Sequence, residues 1–71
     1  MVQGMVQGLE DRLKANPKDA EGWIRLMRSR MVLKEPDKAG EALQSGLAAF
    51  AGDSATQGRL RSAAAELGVR Q

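Results

Sequence analysis

The chain of 71 residues contains no cysteine and no histidine. Without cysteine no disulfide can brace the fold, and without either residue type the ordinary zinc ligands are missing. No serine has a histidine to activate it, and no Gly-x-x-x-x-Gly-Lys phosphate loop occurs. Glu10 and Asp11 are adjacent, so on a helix they point in different directions and cannot work as a paired acid and base. We therefore predict a non-enzymatic protein with no catalytic residue, no metal site and no cofactor.

Aromatic residues, net charge and long apolar runs are scarce as well. The chain has one Trp, one Phe and no Tyr, and its net charge of +2 is slight and spread without a basic block. This argues against nucleic-acid binding, which uses stacking aromatics and a strong positive field. The longest apolar run, residues 47–51, is far shorter than the roughly 20 residues of a membrane span. We expect no direct membrane contact, no signal peptide and, at this length, a single domain with a thin core.

What is present is a helical pattern of apolar residues, punctuated by helix breakers. Four helices are predicted, over residues 2–15, 20–34, 36 or 37 to 50, and 55–67. Asp19 and Asp53 are suited to capping the second and fourth helices, and Gly68 to ending the fourth. The first helix carries its apolar stripe on Val2, Met5, Val6, Leu9 and Leu13.

The second helix has a wide apolar arc with two exceptions. Trp23 and Met27 lie within the arc and are expected in the core, as is Met5 of the first helix. Arg30 also falls inside the arc, so its stem should pack while its head reaches solvent, or a buried pair forms with Glu41 or Glu66. Val32 is the second exception, because it falls on the polar side.

A spacing of 34 residues separates Asp19 from Asp53 and Pro17 from Ala51. This is the period of tetratricopeptide repeats, whose Trp, Leu, small and large apolar positions are matched here by Trp23, Leu26, Ala39, Leu43 and Gly46. The pattern predicts an all-α fold, a tetratricopeptide-type α-α superhelix fragment of about four antiparallel helices. Its parts are a half repeat (1–19), a full repeat (20–53) and a half repeat (54–71). The predicted structural core consists of Trp23, Leu26, Ala39, Leu43 and Leu47.

Three positions depart from the repeat pattern. Arg30 replaces an aromatic residue, Lys34 replaces a turn glycine and Ala51 replaces the closing proline.

In this type of repeat the first helix of each pair lines the concave side. The expected peptide-binding groove therefore consists of Glu21, Ile24, Arg25, Arg28, Met31 and Val32. Its apolar members form a strip suited to an amphipathic partner helix, and its arginines are suited to a carboxylate of the partner. The alternative is an ordinary solvated helix face on which Glu21 and Arg25 form an i,i+4 pair.

Residues 4–9, 16–29 and 65–69 resemble the periplasmic tetratricopeptide domain of the bacterial cytochrome c biogenesis factors called CcmI or CycH. The resemblance implies a periplasmic location, as the soluble domain of a membrane-anchored chaperone. It further implies that the repeats hold apocytochrome c, through its C-terminal helix, and pass it to the haem ligation machinery. The residues alone leave open a second interpretation, in which the chain is a structural repeat scaffold or self-associates as a homo-oligomer through its terminal helices.

Overall fold

The computed structural model describes the backbone of residues 2–69 and the side chains of residues 4–69. Within this range the chain forms four α-helices: α1 (Val2–Ala15), α2 (Ala20–Val32), α3 (Pro36–Ala49) and α4 (Ser54–Leu67). The all-α, tetratricopeptide-like architecture is confirmed. The predicted helix boundaries differ from these by at most two residues, the largest difference being that α2 ends at Val32 rather than at residue 34. The predicted apolar role of the Val2 side chain lies outside the described residues.

Side-chain and backbone caps start and stop the helices. Asp19 accepts a hydrogen bond from the backbone N–H of Gly22 at 3.0 Å, and Asp53 accepts one from Thr56 at 3.1 Å. Each carboxylate thereby satisfies an N–H group that the first helical turn leaves without a partner. Gly68 ends α4 in the left-handed conformation, with φ of 79°. The turn after α2 uses Lys34 at φ of 61°, a conformation in which a side chain is unfavourable.

Helix α2 is the centre of the molecule. It packs against α1, α3 and α4, while α3 and α4 also pack against each other. Among the described residues α1 packs against α2 alone. A helix pair with a further helix on each side is the arrangement in which stacked repeats contact their neighbours, and it leaves the outer faces of α1 and α4 without a packed neighbour within residues 2–69.

The core lies around α2, where all four helices contribute buried side chains. Trp23, Leu26, Ala39 and Leu43 are buried and Leu47 is half-buried. Trp23 also donates from Nε1 to the carbonyl oxygen of Pro17 at 2.8 Å, so its buried polar group is satisfied. Other buried members of this cluster come from all parts of the fold: Val6, Leu13, Met27, Ala42, Phe50, Leu60, Ala64 and Val69.

Gly46 permits the close approach of α3 to the other two core helices. A Cβ atom added there would lie 3.1 Å from Trp23 Cγ and 3.2 Å from Leu60 Cδ1. Both distances are shorter than ordinary carbon–carbon contacts, so the absence of a side chain at Gly46 sets the spacing of α2, α3 and α4.

Two sequence-based expectations about packing are wrong. Met5 is 74% exposed rather than part of the core, because within residues 2–69 nothing covers the side of α1 on which it lies. Arg30 neither reaches solvent nor pairs with Glu41 or Glu66. It is 7% exposed, donates from Nη1 to Glu35 Oε1 at 3.0 Å, and places Nη2 3.6 Å from Glu10 Oε2. Its charge is thus compensated by α1 on one side and by the start of α3 on the other.

Candidate functional site

The exposed strip of α2 is the part of the molecule where the sequence places a groove. Glu21, Arg25, Arg28 and Val32 recur at intervals of three and four, and all four are exposed, Val32 to 72%. Helix α2 is therefore not enclosed, although it packs against all three other helices. We call these four residues the α2 strip.

The other two predicted groove residues lie to one side of this strip. Ile24 and Met31 are half-buried and pack against the core cluster. A Cβ on Gly68 would lie 3.9 Å from Met31 Cε, which places Met31 beside the end of α4. Ile24 lies two helical turns earlier and shares that side of α2. The structure thus brings four of the six predicted residues together on an open surface and turns two toward α4.

Glu21 is paired across the helices. Its Oε1 accepts from Arg59 Nη2 of α4 at 2.6 Å. The i,i+4 pair of Glu21 with Arg25 that was expected on a solvated helix face is therefore wrong, whereas the solvated face itself stays an alternative. Both side chains of the observed pair are more than half exposed, so its contribution to stability is small. Glu21 is thus directed toward α4 rather than toward Arg25.

Arg25 and Arg28 carry the positive charge of the α2 strip. Within residues 4–69 neither has a carboxylate oxygen within 4.0 Å. A guanidinium group offers donors in a planar fork that matches a carboxylate, so two such groups beside the apolar Val32 favour a partner with both apolar and acidic groups.

A cleft that the sequence did not predict runs along the other side of the α2 strip, between α1 and α2. Its larger part has a volume of about 490 Å³ and reaches from Leu9 to Asn16, and its smaller part of about 220 Å³ reaches Met5 and Ser29. Leu9, Arg12 and Arg25 line both parts. We call the two parts together the α1–α2 cleft. Met5 and Arg12 were missed as lining residues because the apolar spacing of the first helix predicts only a buried stripe.

A further hollow of about 520 Å³ lies between α1 and α3. Of its charged lining residues, Glu10 approaches Arg30, and Lys14 and Glu41 are exposed groups of opposite sign. The charged lining of this hollow therefore consists of two carboxylates and one ammonium group.

The described residues lack a metal-binding cluster and a membrane-spanning helix. Residues 2–69 contain no group of three or more acidic, cysteine or histidine side chains that could hold a metal ion. None of the helices in the same range is long and apolar enough to cross a membrane.

Within residues 2–69 the protein is an all-α, tetratricopeptide-like arrangement of four helices. Over 69 residues, or 97% of its length, the chain is 45% identical to the cytochrome c-type biogenesis protein CycH of Rhizobium meliloti strain 1021. It is 41% identical over the same length to the CycH protein of Bradyrhizobium diazoefficiens. These matches confirm the resemblance to cytochrome c biogenesis factors of the CycH name.

The chain spans only 18% and 19% of the length of these two relatives. No family model matches the chain, and no solved structure matches it.

Proposed function

We propose that this chain is a non-catalytic protein-interaction module of cytochrome c biogenesis that binds a peptide or helix of another protein along the α2 strip. The observation that carries the proposal is the exposure of Val32, 72% accessible, on the same helix face as the exposed Arg25 and Arg28. Apolar surface rimmed by polar groups on a rigid helix is typical of sites that accept an amphipathic partner.

The relatives supply the biological setting of the proposal. Both are named cytochrome c-type biogenesis proteins. In this setting the bound segment is the C-terminal helix of apocytochrome c, held before haem ligation in the periplasm. The division into repeats at residues 1–19, 20–53 and 54–71 belongs to the same proposal, and the central position of α2 in the packing supports it.

Binding of a fluorescently labelled C-terminal apocytochrome c peptide tests this function. Val32→Glu and Arg28→Glu should each weaken binding at least about fivefold, because one places a charge on the apolar contact and the other reverses a charge that attracts the partner. Both residues are exposed, so circular dichroism should show unchanged helicity.

Gln44→Glu is the matched control, since Gln44 is exposed on α3 and the substitution introduces the same acidic side chain away from the α2 strip. Equal affinity of all four proteins would refute the placement on the α2 strip. Absence of peptide binding to the unmodified chain would refute the proposal that apocytochrome c is the partner.

A second candidate, self-association, is favoured by the exposure of Met5 as well as Val32. Sedimentation of the unmodified chain separates the two candidates. A dimer that resists salt, together with no peptide binding, would support a structural scaffold instead.

A further inference from the structure

One buried cation of α2 binds carboxylates on two sides. Arg30 is 7% exposed, donates from Nη1 to Glu35 Oε1 at 3.0 Å, and places Nη2 3.6 Å from Glu10 Oε2. Glu10 belongs to α1, whereas Glu35 is the residue before α3. We call these three residues the Arg30 triad. Because a buried charge without a partner is unfavourable, Arg30 favours a neighbouring helix that carries a carboxylate at the position of Glu10.

The 34-residue spacing relates the α1–α2 interface to a second one, between α3 and α4. Asp19 caps α2 and Asp53 caps α4 in the same way. Leu26 of α2 and Leu60 of α4 are both almost completely buried. Since α1 packs against α2 and α3 packs against α4, two related interfaces occur in one chain.

The α3–α4 interface lacks the charges of the α1–α2 interface. The residues 34 positions after the members of the Arg30 triad are an exposed neutral residue, a completely buried alanine and a buried valine: Gln44, Ala64 and Val69. Helix α4 therefore has no cation at the position of Arg30, and α3 has no carboxylate at the position of Glu10. A buried ion cluster thus distinguishes one interface from the other.

Two related interfaces in one chain create a route to incorrect pairing between copies. Helix α3 of a second copy would lie on α2 of the first, once α1 of the first copy and α4 of the second had moved away. Gln44 would then face Arg30 in place of Glu10, and this side of the cation would lose its carboxylate. Every added copy would offer the same interface again, so such a stack would not close on itself.

We propose that the Arg30 triad selects the helix that packs on α2. It favours α1 of the same chain over α3 of a second copy, and so keeps the chains from stacking head to tail. Buried polar or charged groups that fix the pairing of helices are known from coiled coils. No residue of the α2 strip belongs to the triad, so this selection is independent of the proposed peptide binding.

Moving one carboxylate from α1 to α3 tests the selection without changing composition or net charge. Glu10→Gln/Gln44→Glu, the exchange variant, takes from α1 the group that Arg30 binds and gives it to α3. Gln7→Glu/Glu10→Gln is the matched control, since it takes the same group from Arg30 but keeps it on α1. The three substituted positions are exposed or half-buried, so circular dichroism should show both variants folded.

Sedimentation velocity over a concentration series compares the two variants. The exchange variant should associate at least about fivefold more tightly than the control, because only its α3 brings a carboxylate to the cation of a second copy. Hydrogen exchange of the associated form should show α1 amides losing protection while α2 amides keep theirs, since α3 of the second copy has taken the place of α1.

A second variant, Glu10→Gln/Arg30→Met/Glu35→Gln, removes every charge of the triad. Helix α2 then has no electrostatic reason to prefer α1, so association should exceed that of the unmodified chain. The midpoint of urea unfolding should stay close to the original value, because replacing a buried ion cluster with apolar groups is often nearly neutral.

Equal association of the exchange variant and its control overturns the proposal. So does association in which α1 stays protected, because the copies then meet through an outer surface. A triple variant that is markedly less stable than the unmodified chain, and no more associated, also overturns it. The triad would in that case stabilise the fold without selecting the helix that packs on α2.

Discussion

At the scale of single residues, Lys34 shows a conflict between side chain and backbone. It adopts φ of 61° in the turn between α2 and α3, and its backbone N–H donates to Met31 O at 3.0 Å. This turn conformation is one that glycine adopts without steric cost, whereas a residue with a Cβ is strained. The repeat pattern has glycine at this position, so the strain follows from the departure at Lys34.

Replacing Lys34 with glycine should stabilise the protein by about 0.5–1 kcal/mol, because relief of the strained backbone outweighs the greater freedom of glycine in the unfolded chain. Urea unfolding followed by circular dichroism measures the change. Gly52→Ala is the reciprocal control. Gly52 has φ of 87° and open space around it, so the added methyl group should destabilise through backbone strain alone. A destabilised Lys34→Gly protein would contradict this account.

Two acidic residues at helix starts should make stability depend on pH. The Arg30 and Lys38 side chains that bind Glu35 lower its pKa below 4.5, and hydrogen bonds from the Thr56 hydroxyl and backbone N–H lower the pKa of Asp53 below 3.8. A pKa lowered by folding means that the carboxylate stabilises the folded state above its ordinary pKa. This contribution is lost as the pH falls through the lowered value.

The free energy of unfolding should therefore decrease as the pH falls below 4.5, and decrease further below 3.8. Glu35→Gln should flatten the upper part of this decline. Asp53→Asn should flatten the lower part while nearly preserving stability at neutral pH, because asparagine also caps helices well. Chemical denaturation between pH 2 and pH 7 supplies the curve. Identical slopes in the original chain and both variants would contradict the assigned causes.

At the scale of helices, two glycines lie in opposite packing environments, so replacing each with alanine should change stability in opposite directions. Gly46 is enclosed by Trp23 and Leu60, whereas Gly58 on α4 has open space where a Cβ atom would lie. The intrinsic helix preference for alanine is the same at both positions, so packing alone distinguishes them. This difference separates the central helix pair from the outer surface of α4.

Gly58→Ala should stabilise the chain by about 0.5–1 kcal/mol through helix propensity. Gly46→Ala should destabilise it by about 1–3 kcal/mol, because the ring of Trp23 cannot move away without disturbing the core. Thermal and urea unfolding of both variants give the comparison. Stabilisation by Gly46→Ala would show that α3 can shift away from α2 at little cost.

At the scale of the whole molecule, α1 is the helix with the fewest packed neighbours. Within residues 2–69 it packs against α2 alone, through Val6, Leu13 and the charged contact of Glu10 with Arg30. Arg30 also binds Glu35, so this single buried cation joins α1, α2 and the start of α3. The α1–α2 cleft depends on the position of α1, and Arg30 therefore supports the shape of this cleft without lining it.

Arg30→Gln should loosen α1 more than the rest of the fold, because it leaves Glu10 and Glu35 without their shared cation. Hydrogen exchange should show protection of α1 amides falling by about tenfold, with a smaller change in α3. Glu10→Gln is the matched variant, since it removes only the α1 contact and should affect α1 alone. Uniform loss of protection in all four helices would indicate that Arg30 supports global stability instead.

The sequence by itself determined the helices, their caps and most of the core, because these depend on local spacing and on residues such as Asp19, Pro36 and Asp53 that act within one helical turn. It also indicated the exposure of Val32, which lies on the polar side of α2. Tertiary structure alone decided the partners of Arg30 and Glu21, the exposure of Met5 and the presence of the α1–α2 cleft. The physical reason is that these features depend on which helices lie side by side, and the apolar pattern of one helix shows which face is buried without showing which neighbour covers it.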